Sequence, residues 1–165
     1  MDTNEPSGHT NDRNWKTKPK KYHGFWRFFW LTFLVVSLVY AWHSFYVPSN
    51  TVAWAANYAA AQQQAKREDK PVILFFTAQW CVPCRIMKRT VWADGQVERL
   101  VNKDFVSVAI YPDDTEGMEL MSAYRIGATP TTIVTDSEGN VLKRVEGGIG
   151  KSDFMQMLRD FGGDF

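Results

Sequence analysis

This chain of 165 residues contains only two cysteines and three histidines, and its formal net charge is only +1. Two cysteines are too few for a disulfide-rich secreted scaffold or a four-cysteine zinc site. A net charge near zero provides no broad basic surface, so we expect no binding to nucleic acid. The chain is nevertheless 45% hydrophobic and 22% charged, a balance that excludes a disordered or low-complexity protein.

Charge is distributed unevenly along the chain. Residues 1–27 carry six basic and three acidic side chains, whereas residues 48–165 carry thirteen basic and fifteen acidic ones. Residues 1–24 are also polar and show no apolar periodicity. We therefore predict a disordered basic tail over residues 1–24 and a slightly acidic domain over residues 49–165.

The segment between the tail and the domain lacks charge altogether. No aspartate, glutamate, lysine or arginine occurs among the twenty residues from Phe28 to Val47. As a helix this segment would be about 30 Å long, which is the thickness of the hydrocarbon core of a bilayer. Aromatic residues at both of its ends suit the two membrane interfaces. We predict one transmembrane anchor over residues 25–48, ended by Pro48, with a buried core helix as the alternative.

The flanking charges predict the orientation of this anchor. Basic residues precede it, and the first one after it is Lys66. The positive-inside rule therefore places the amino terminus in the cytoplasm and the domain on the extracytoplasmic side. A cleaved signal peptide is the competing interpretation, since Ala53-Trp54-Ala55 is a small-residue cleavage pattern. Both interpretations place the domain outside the cytoplasm.

Helical and strand patterns alternate through the domain. Trp54, Tyr58, Ala61 and Ala65 share one face of a predicted helix over residues 51–69. Further helices are predicted over residues 81–92, 96–102 and 116–124 and after a Ser152 cap, and strands over residues 72–76, 105–111, 131–135 and 141–145. Asp94 is the predicted cap of the second of these helices. This order predicts an α/β fold in which helices flank a mixed central sheet.

Both cysteines lie in one short motif, Cys81-Val82-Pro83-Cys84, at the start of a predicted helix that follows a buried strand. Two intervening residues allow a disulfide between the cysteines. The positive end of the helix favours a thiolate and so lowers the pKa of Cys81. The motif predicts an exposed nucleophile, Cys81, and a resolving thiol, Cys84, that exchange with the disulfide of a partner.

The residues around the cysteines are expected to tune their redox potential. Val82 and Pro83 lie between the two thiols, Arg85 follows them, and Lys88 adds further positive charge. Other interpretations of the pair stay open, namely a structural disulfide, two incidental buried cysteines, or a Cu(I) site on the two thiolates. The histidines lie in the tail or the anchor, so we predict no other metal ligands and no cofactor.

The segment FFTAQWCVPCR, residues 75–85, resembles the active-site segment of thioredoxins. Residues 129–131, Thr-Pro-Thr, resemble the cis-proline loop of that family, and the glycine pair at 147–148 resembles its late glycine. The resemblance extends over residues 52–161. Within the superfamily the chain is most similar to extracytoplasmic domains such as the C-terminal domain of DsbD-type thiol reductases. The resemblance implies a thioredoxin fold and a location at the bacterial cytoplasmic membrane.

The resemblance also implies roles for individual residues. Cys81 and Cys84 would be catalytic and form a reversible disulfide, and Trp80 would pack beside it and shape the surface that binds substrate. Thr129 and Pro130 would bind substrate across a cis peptide bond, with the Thr129 backbone pairing to an extended segment of the partner. Substrates would be proteins with thiols or disulfides. Because the anchor has no cysteine, electrons from the cytoplasm would need a separate transmembrane partner.

Phe75 departs from the thioredoxin pattern. It occupies the position of a buried aspartate that, in thioredoxins, helps to move the proton of the second cysteine. A phenylalanine has no such proton chemistry, and an apolar neighbour raises the pKa of Cys84. The sequence thus predicts a membrane-anchored thiol–disulfide oxidoreductase without this base. A Cu(I) metallochaperone that uses the same two thiolates is the alternative.

Overall fold

The computed structural model describes residues 22–46 and 48–162, which divide into two compact units between Ser44 and Phe45. Most of the predicted basic tail over residues 1–24 lies outside the described residues.

The amino-terminal unit contains one long helix, α1, Tyr22–Phe45. From Gly24 to Phe45 it is long and apolar enough to cross a membrane, by length and composition alone. Its large apolar side chains are exposed to the surroundings. The helix ends ahead of Pro48, the predicted stop, because a proline disfavours the α conformation in the residue before it.

The second unit is built on a four-stranded mixed sheet, as predicted. The strands are β1 (Val72–Phe76), β2 (Val106–Ile110), β3 (Thr131–Thr135) and β4 (Val141–Glu146). Their order across the sheet is β2-β1-β3-β4, with β1 parallel to β2 and antiparallel to β3, and with β3 antiparallel to β4. Every residue of β1 is buried, which accounts for its continuous apolar sequence.

Helices cover both faces of the sheet. They are α2 (Tyr58–Glu68), α3 (Val82–Met87), α4 (Gly95–Asp104), α5 (Thr115–Ala123) and α6 (Lys151–Phe161). A π-helical turn, Lys88–Trp92, continues α3. Because side chains alternate along a strand, Phe75 enters the core shared with α4 and α6, whereas Phe76 enters the core shared with α2 and α5.

The predicted helix over residues 51–69 is wrong in its first half. Helix α2 begins only at Tyr58, because Asn57 caps it in an extended conformation. The Asn57 side-chain oxygen accepts a hydrogen bond from the backbone N–H of Ala60 at 2.8 Å. Such a cap fixes where a helix starts, and the alanines upstream of Asn57 do not override it.

Trp54 is therefore not part of a helix. It lies in an extended segment that forms a parallel bridge to Ser107 on the outer edge of β2. Its indole N–H donates to the Asn50 side chain at 3.0 Å. Its ring lies 4.7 Å from the Trp92 ring and 6.4 Å from the Phe75 ring, centroid to centroid. Trp54 thus fills the core on the α4 and α6 side, on the opposite face from Tyr58.

The prediction of Ser152 as the cap of the last helix is also wrong. Helix α6 already begins at Lys151, and the Ser152 hydroxyl instead bonds the Asp153 carboxylate at 3.3 Å. A residue inside the first turn cannot adopt the extended conformation that an N-cap needs. The predicted cap of α4 is confirmed, since the Asp94 carboxylate accepts hydrogen bonds from two backbone N–H groups of the first turn.

Replacing Asn57 with alanine removes the side-chain oxygen that caps α2. We expect Asn57→Ala to lower the free energy of unfolding by about 1 kcal/mol, the usual cost of a lost N-cap. Urea unfolding of the full chain in detergent, followed by tryptophan fluorescence, measures the loss. Ser152→Ala is the control and should change stability by less than about 0.5 kcal/mol. Equal losses in the two variants would contradict this assignment of the caps.

Candidate active site

The two cysteines lie at the edge of the sheet where the parallel strands β1 and β2 have their carboxyl ends. Strand β1 is followed by Thr77, whose backbone N–H donates to the carbonyl oxygen of Ile110 at the end of β2, at 2.9 Å. Three residues later the chain turns into α3, with Cys81 at the N-cap position. Because β1 and β2 are parallel, the segments that follow them meet at this edge of the sheet.

The cysteine pair forms a disulfide across the first turn of α3. The sulfur atoms of Cys81 and Cys84 are 2.01 Å apart, and the Cα atoms are 5.3 Å apart. The backbone N–H of Cys84 donates to the Cys81 sulfur at 3.2 Å. That amide is one of the unpaired N–H groups of the helix start, and it therefore points at the sulfur where negative charge would develop on reduction.

The prediction that Cys81 is exposed is wrong for this disulfide form of the protein. Cys81 is 3% exposed and Cys84 is 0% exposed. Cys81 is covered because its sulfur lies against the loop that precedes β3, at 3.5 Å from the carbonyl oxygen of Thr129. Cys81 is still the more exposed residue of the two.

The loop that covers Cys81 contains a cis peptide bond, Thr129–Pro130, as the resemblance implies. Pro130 is buried and Thr129 is half-buried. The Pro130 carbonyl oxygen accepts from the Gly147 N–H at 2.8 Å, and the Thr131 hydroxyl donates to the Ala128 carbonyl oxygen at 2.8 Å. The first bond joins the loop to the residue that follows β4, and the second joins the two sides of the loop itself. The Thr129 carbonyl is therefore held in place beside the disulfide.

Exposed apolar side chains surround the buried disulfide. Trp80 is 73% exposed and Val82 is 53% exposed, and Pro83 is exposed as well. Ile86 is also about half exposed on α3, and the sequence reasoning missed it. Its spacing of four residues from Val82, which places both on one helix face, is the signal that would have found it. We call Trp80, Val82, Pro83 and Ile86 the apolar rim.

The position of Phe75 contains no acid or base. Phe75 is fully buried, and its ring lies 5.2 Å from that of Trp92. Its neighbour on β3 is Thr132, whose hydroxyl is buried and has no hydrogen-bond partner among the described residues. Neither β1 nor β3 contains a titratable residue. The charge near the disulfide therefore comes from the helix side, where Arg85 is half-buried directly after Cys84.

No group of three or more histidine, cysteine, aspartate or glutamate side chains that could hold a metal ion occurs in the part of the chain that the structure describes. Within those residues, a copper ion at this site would have the two cysteine sulfurs as its protein ligands.

The segment after β2 is packed tightly at the same edge of the sheet. An added Cβ at Gly117, in the first turn of α5, would lie 1.6 Å from the carbonyl oxygen of Tyr111. The Gly117 N–H also donates to the Asp114 carboxylate at 2.6 Å. Helix α5 thus fixes the backbone of Tyr111, the residue that directly follows β2.

A disulfide in the first turn of a helix, placed after a buried central strand and opposite a cis-proline loop, defines a protein with the thioredoxin fold and a redox-active cysteine pair. The chain belongs to the thioredoxin-like domain family, which matches residues 58–162. The predicted fold and the predicted superfamily are both confirmed.

Sequence relatives include the thiol:disulfide interchange protein DsbD. The chain is 29% identical over 109 residues to DsbD of Pseudomonas fluorescens, an alignment that covers 64% of this chain and 19% of that protein. It is 32% identical over 104 residues to DsbD of Yersinia enterocolitica, covering 61% of this chain and 18% of that protein. The chain thus spans about a fifth of the length of these relatives.

Solved structures include similar domains. A thioredoxin from Thermus thermophilus superposes with a TM-score of 0.61 at 27% identity, over 67% of this chain and 86% of that chain. The C-terminal domain of Neisseria meningitidis DsbD in its oxidised form superposes with a TM-score of 0.54 at 25% identity, over 62% of this chain and 90% of that chain. The range that the family model matches, residues 58–162, does not include α1.

Gly117 offers a test of the tight packing at this edge. We expect Gly117→Ala to destabilise the protein by about 1–3 kcal/mol, because the new Cβ overlaps a backbone carbonyl that has no room to move. Gly127→Ala is the matched control, since nothing lies within 4 Å of a Cβ added there. Thermal unfolding of both variants in detergent measures the difference. Two equally stable variants would show that α5 is free to shift away from Tyr111.

Proposed function

We propose that this chain is a membrane-anchored thiol–disulfide oxidoreductase whose Cys81–Cys84 pair exchanges with protein thiols or disulfides on the extracytoplasmic side. One observation carries the proposal. The disulfide lies in the first turn of α3, with the Cys84 N–H on the Cys81 sulfur at 3.2 Å and the Thr129 carbonyl 3.5 Å away. A purely structural disulfide requires neither a backbone carbonyl beside its sulfur nor exposed apolar side chains around it.

The reaction proceeds through a mixed disulfide. With the pair reduced, the Cys81 thiolate attacks one sulfur of a partner disulfide, and the other partner sulfur leaves as a thiolate. Cys84 then loses its proton to solvent and attacks the Cys81 sulfur. The bond from Cys81 to the partner breaks, and the electron pair leaves on the partner's sulfur. The partner gains two electrons and the Cys81–Cys84 disulfide is restored, while the reverse sequence oxidises a partner dithiol.

Substrate recognition would use the loop and the apolar rim together. An extended segment of the partner would pair with the Thr129 backbone, as a short added strand, and Pro130 would hold that backbone in place. Trp80 would bury its ring against the partner. Such contacts would bring a partner sulfur towards Cys81.

The redox potential would be set by the local helix and its charges. The Cys84 N–H and the aligned amides of α3 would favour the thiolate form of Cys81 once the pair is reduced. Val82 and Pro83 determine the shape of the turn between the cysteines, and Arg85 adds a positive charge next to them. We propose these three as tuning residues.

The proposed topology follows from α1 and its flanking charge. An apolar helix preceded by basic residues would cross the cytoplasmic membrane of a bacterium once, with its amino terminus in the cytoplasm. Since both cysteines of the chain lie at positions 81 and 84, the anchor carries none. Electrons from the cytoplasm would therefore reach this domain through a separate transmembrane protein with its own thiols.

A redox titration of the full chain in detergent tests the activity. We expect a reversible two-electron transition in dithiol buffers, followed by tryptophan fluorescence, and a Cys84→Ser variant that traps partner proteins in cells as mixed disulfides. Cys81→Ser is the matched control and should trap none, because the buried Cys84 cannot attack a partner. The absence of a reversible couple would refute the oxidoreductase function, and tight retention of Cu(I) by the reduced protein would then favour a metallochaperone.

Thiol labelling tests the topology. In spheroplasts that produce the full-length Cys84→Ser variant, a membrane-impermeant maleimide should label Cys81 as fully before lysis as after it. The labelled chain should sediment with membranes after an alkaline wash. Labelling only after lysis would place the domain in the cytoplasm, and a soluble labelled chain would instead support a cleaved signal peptide.

A further inference from the structure

Lys88 lies one helical turn beyond Cys84. Its backbone N–H donates to the Cys84 carbonyl oxygen, so the regular four-residue spacing of the helix continues to this point. Residues at this spacing are neighbours on one helix face, and helical side chains lean back towards the amino end. The Lys88 side chain is half-buried and therefore projects along the face that carries Cys84.

Tyr111 holds the Lys88 ammonium group. The Lys88 Nζ donates to the Tyr111 hydroxyl at 3.2 Å and lies 5.0 Å from the centre of the Tyr111 ring. A hydrogen bond combined with a cation–π contact restricts a side chain that would otherwise have four free torsions. The Tyr111 backbone is fixed by Gly117, as described above. Tyr111 thus restrains the Lys88 ammonium group, on the helix face that carries Cys84.

Few other charged groups lie on the elements around this face. Arg85 and Arg89 are on the same helix, and Asp113 and Asp114 follow Tyr111. Asp114 is engaged in capping α5. Strands β1 and β3, which carry the apolar and threonine side chains of the site, contribute no titratable residue.

We propose that Lys88, held in place by Tyr111, is the charge partner that stabilises the Cys84 thiolate in the absence of a buried carboxylate at Phe75. This inference rests on the proposed function. Lys88 acts in the resolving step: Cys84 releases its proton to solvent, and the ammonium group favours the resulting thiolate until it attacks the mixed disulfide. Tyr111 is a positioning residue, because it acts through Lys88.

The effect of Lys88 has a defined sign. An ammonium group attracts a thiolate but has little interaction with a neutral thiol, so it stabilises the reduced protein only where Cys84 is deprotonated. The stabilisation is therefore present above the pKa of the Cys84 thiol and absent below it. Stabilising the reduced form makes the pair more oxidising, and removing Lys88 makes it more reducing, at alkaline pH only.

The test compares Lys88→Met with the original protein, both as the full chain in detergent. In a Cys81→Ser background, the thiolate fraction of Cys84, read from its ultraviolet absorbance at a fixed pH, should fall about tenfold. With both cysteines present, the redox potential should fall by about 30 mV at pH values higher than the pKa of Cys84. This shift is the same tenfold change expressed for a two-electron couple. The two potentials should converge at acid pH.

Three further variants separate charge from fold. Lys88→Arg keeps the positive charge, so its Cys84 thiolate fraction and its redox potential should both lie close to those of the original protein. Tyr111→Phe keeps the ring and removes the hydroxyl, so its effect should be intermediate. Lys66→Met removes an exposed lysine on α2, across the sheet, and should change neither value. Equal shifts in the Lys66 and Lys88 variants, or a shift in potential that is the same at every pH, would overturn the proposal.

The outcome also distinguishes this inference from the proposed function. If the original protein shows a reversible couple and Lys88→Met leaves its pH profile unchanged, Lys88 has no role and the oxidoreductase function stands. If the original protein shows no couple, the function itself fails, whatever the Cys84 absorbance does.

Discussion

The pairing of β1 between β2 and β3 determines where every residue of the site lies. Burial of β1 on both faces fixes its direction, and the Thr77–Ile110 hydrogen bond extends the pairing with β2 one residue past the end of the strand. From that point three residues lead to Cys81. The antiparallel neighbour, β3, begins directly after Pro130, so the same pairing brings the Thr129 carbonyl to the sulfur of Cys81. The position of the Thr129 carbonyl beside the disulfide therefore depends on the register of the strands.

Phe75 shows how stability and proton chemistry compete at one position. Its ring joins Trp54 and Trp92 in a closely packed aromatic group that supports the underside of α3 and its π-helical continuation. An aspartate there would place an ionisable group among these rings, where burial disfavours its charged form. A buried phenylalanine instead fills this position with apolar surface that contacts both tryptophans. Under the inference above, the electrostatic control of the thiols would come from α3 and from Lys88, which Tyr111 holds in place.

Local signals in the sequence predicted the parts of the fold that depend on local interactions. The apolar run of β1, the Asp94 cap and the Cys81–Cys84 spacing each specify their structure within a few residues. Trp54 was misplaced because its helical spacing with Tyr58 is real in the sequence but is overridden by a bridge to Ser107, about fifty residues away. The burial of Cys81 was missed for a similar reason, since it is imposed by a loop 48 residues further along the chain. Contacts of this range leave no periodic signal in one sequence.

A recessed disulfide inside an apolar rim limits which molecules can react with it. Cys81 is 3% exposed, while Trp80 beside it is 73% exposed. A small hydrophilic thiol gains nothing from the apolar rim and must still reach a buried sulfur. A protein that covers Trp80 and Ile86 gains the free energy of removing their apolar surface from water, about 25 cal/mol for each Å² buried. That gain offsets the cost of ordering an extended segment along Thr129. Under the proposed function, exchange at this site would therefore be favoured for protein partners with an apolar surface around their own cysteine.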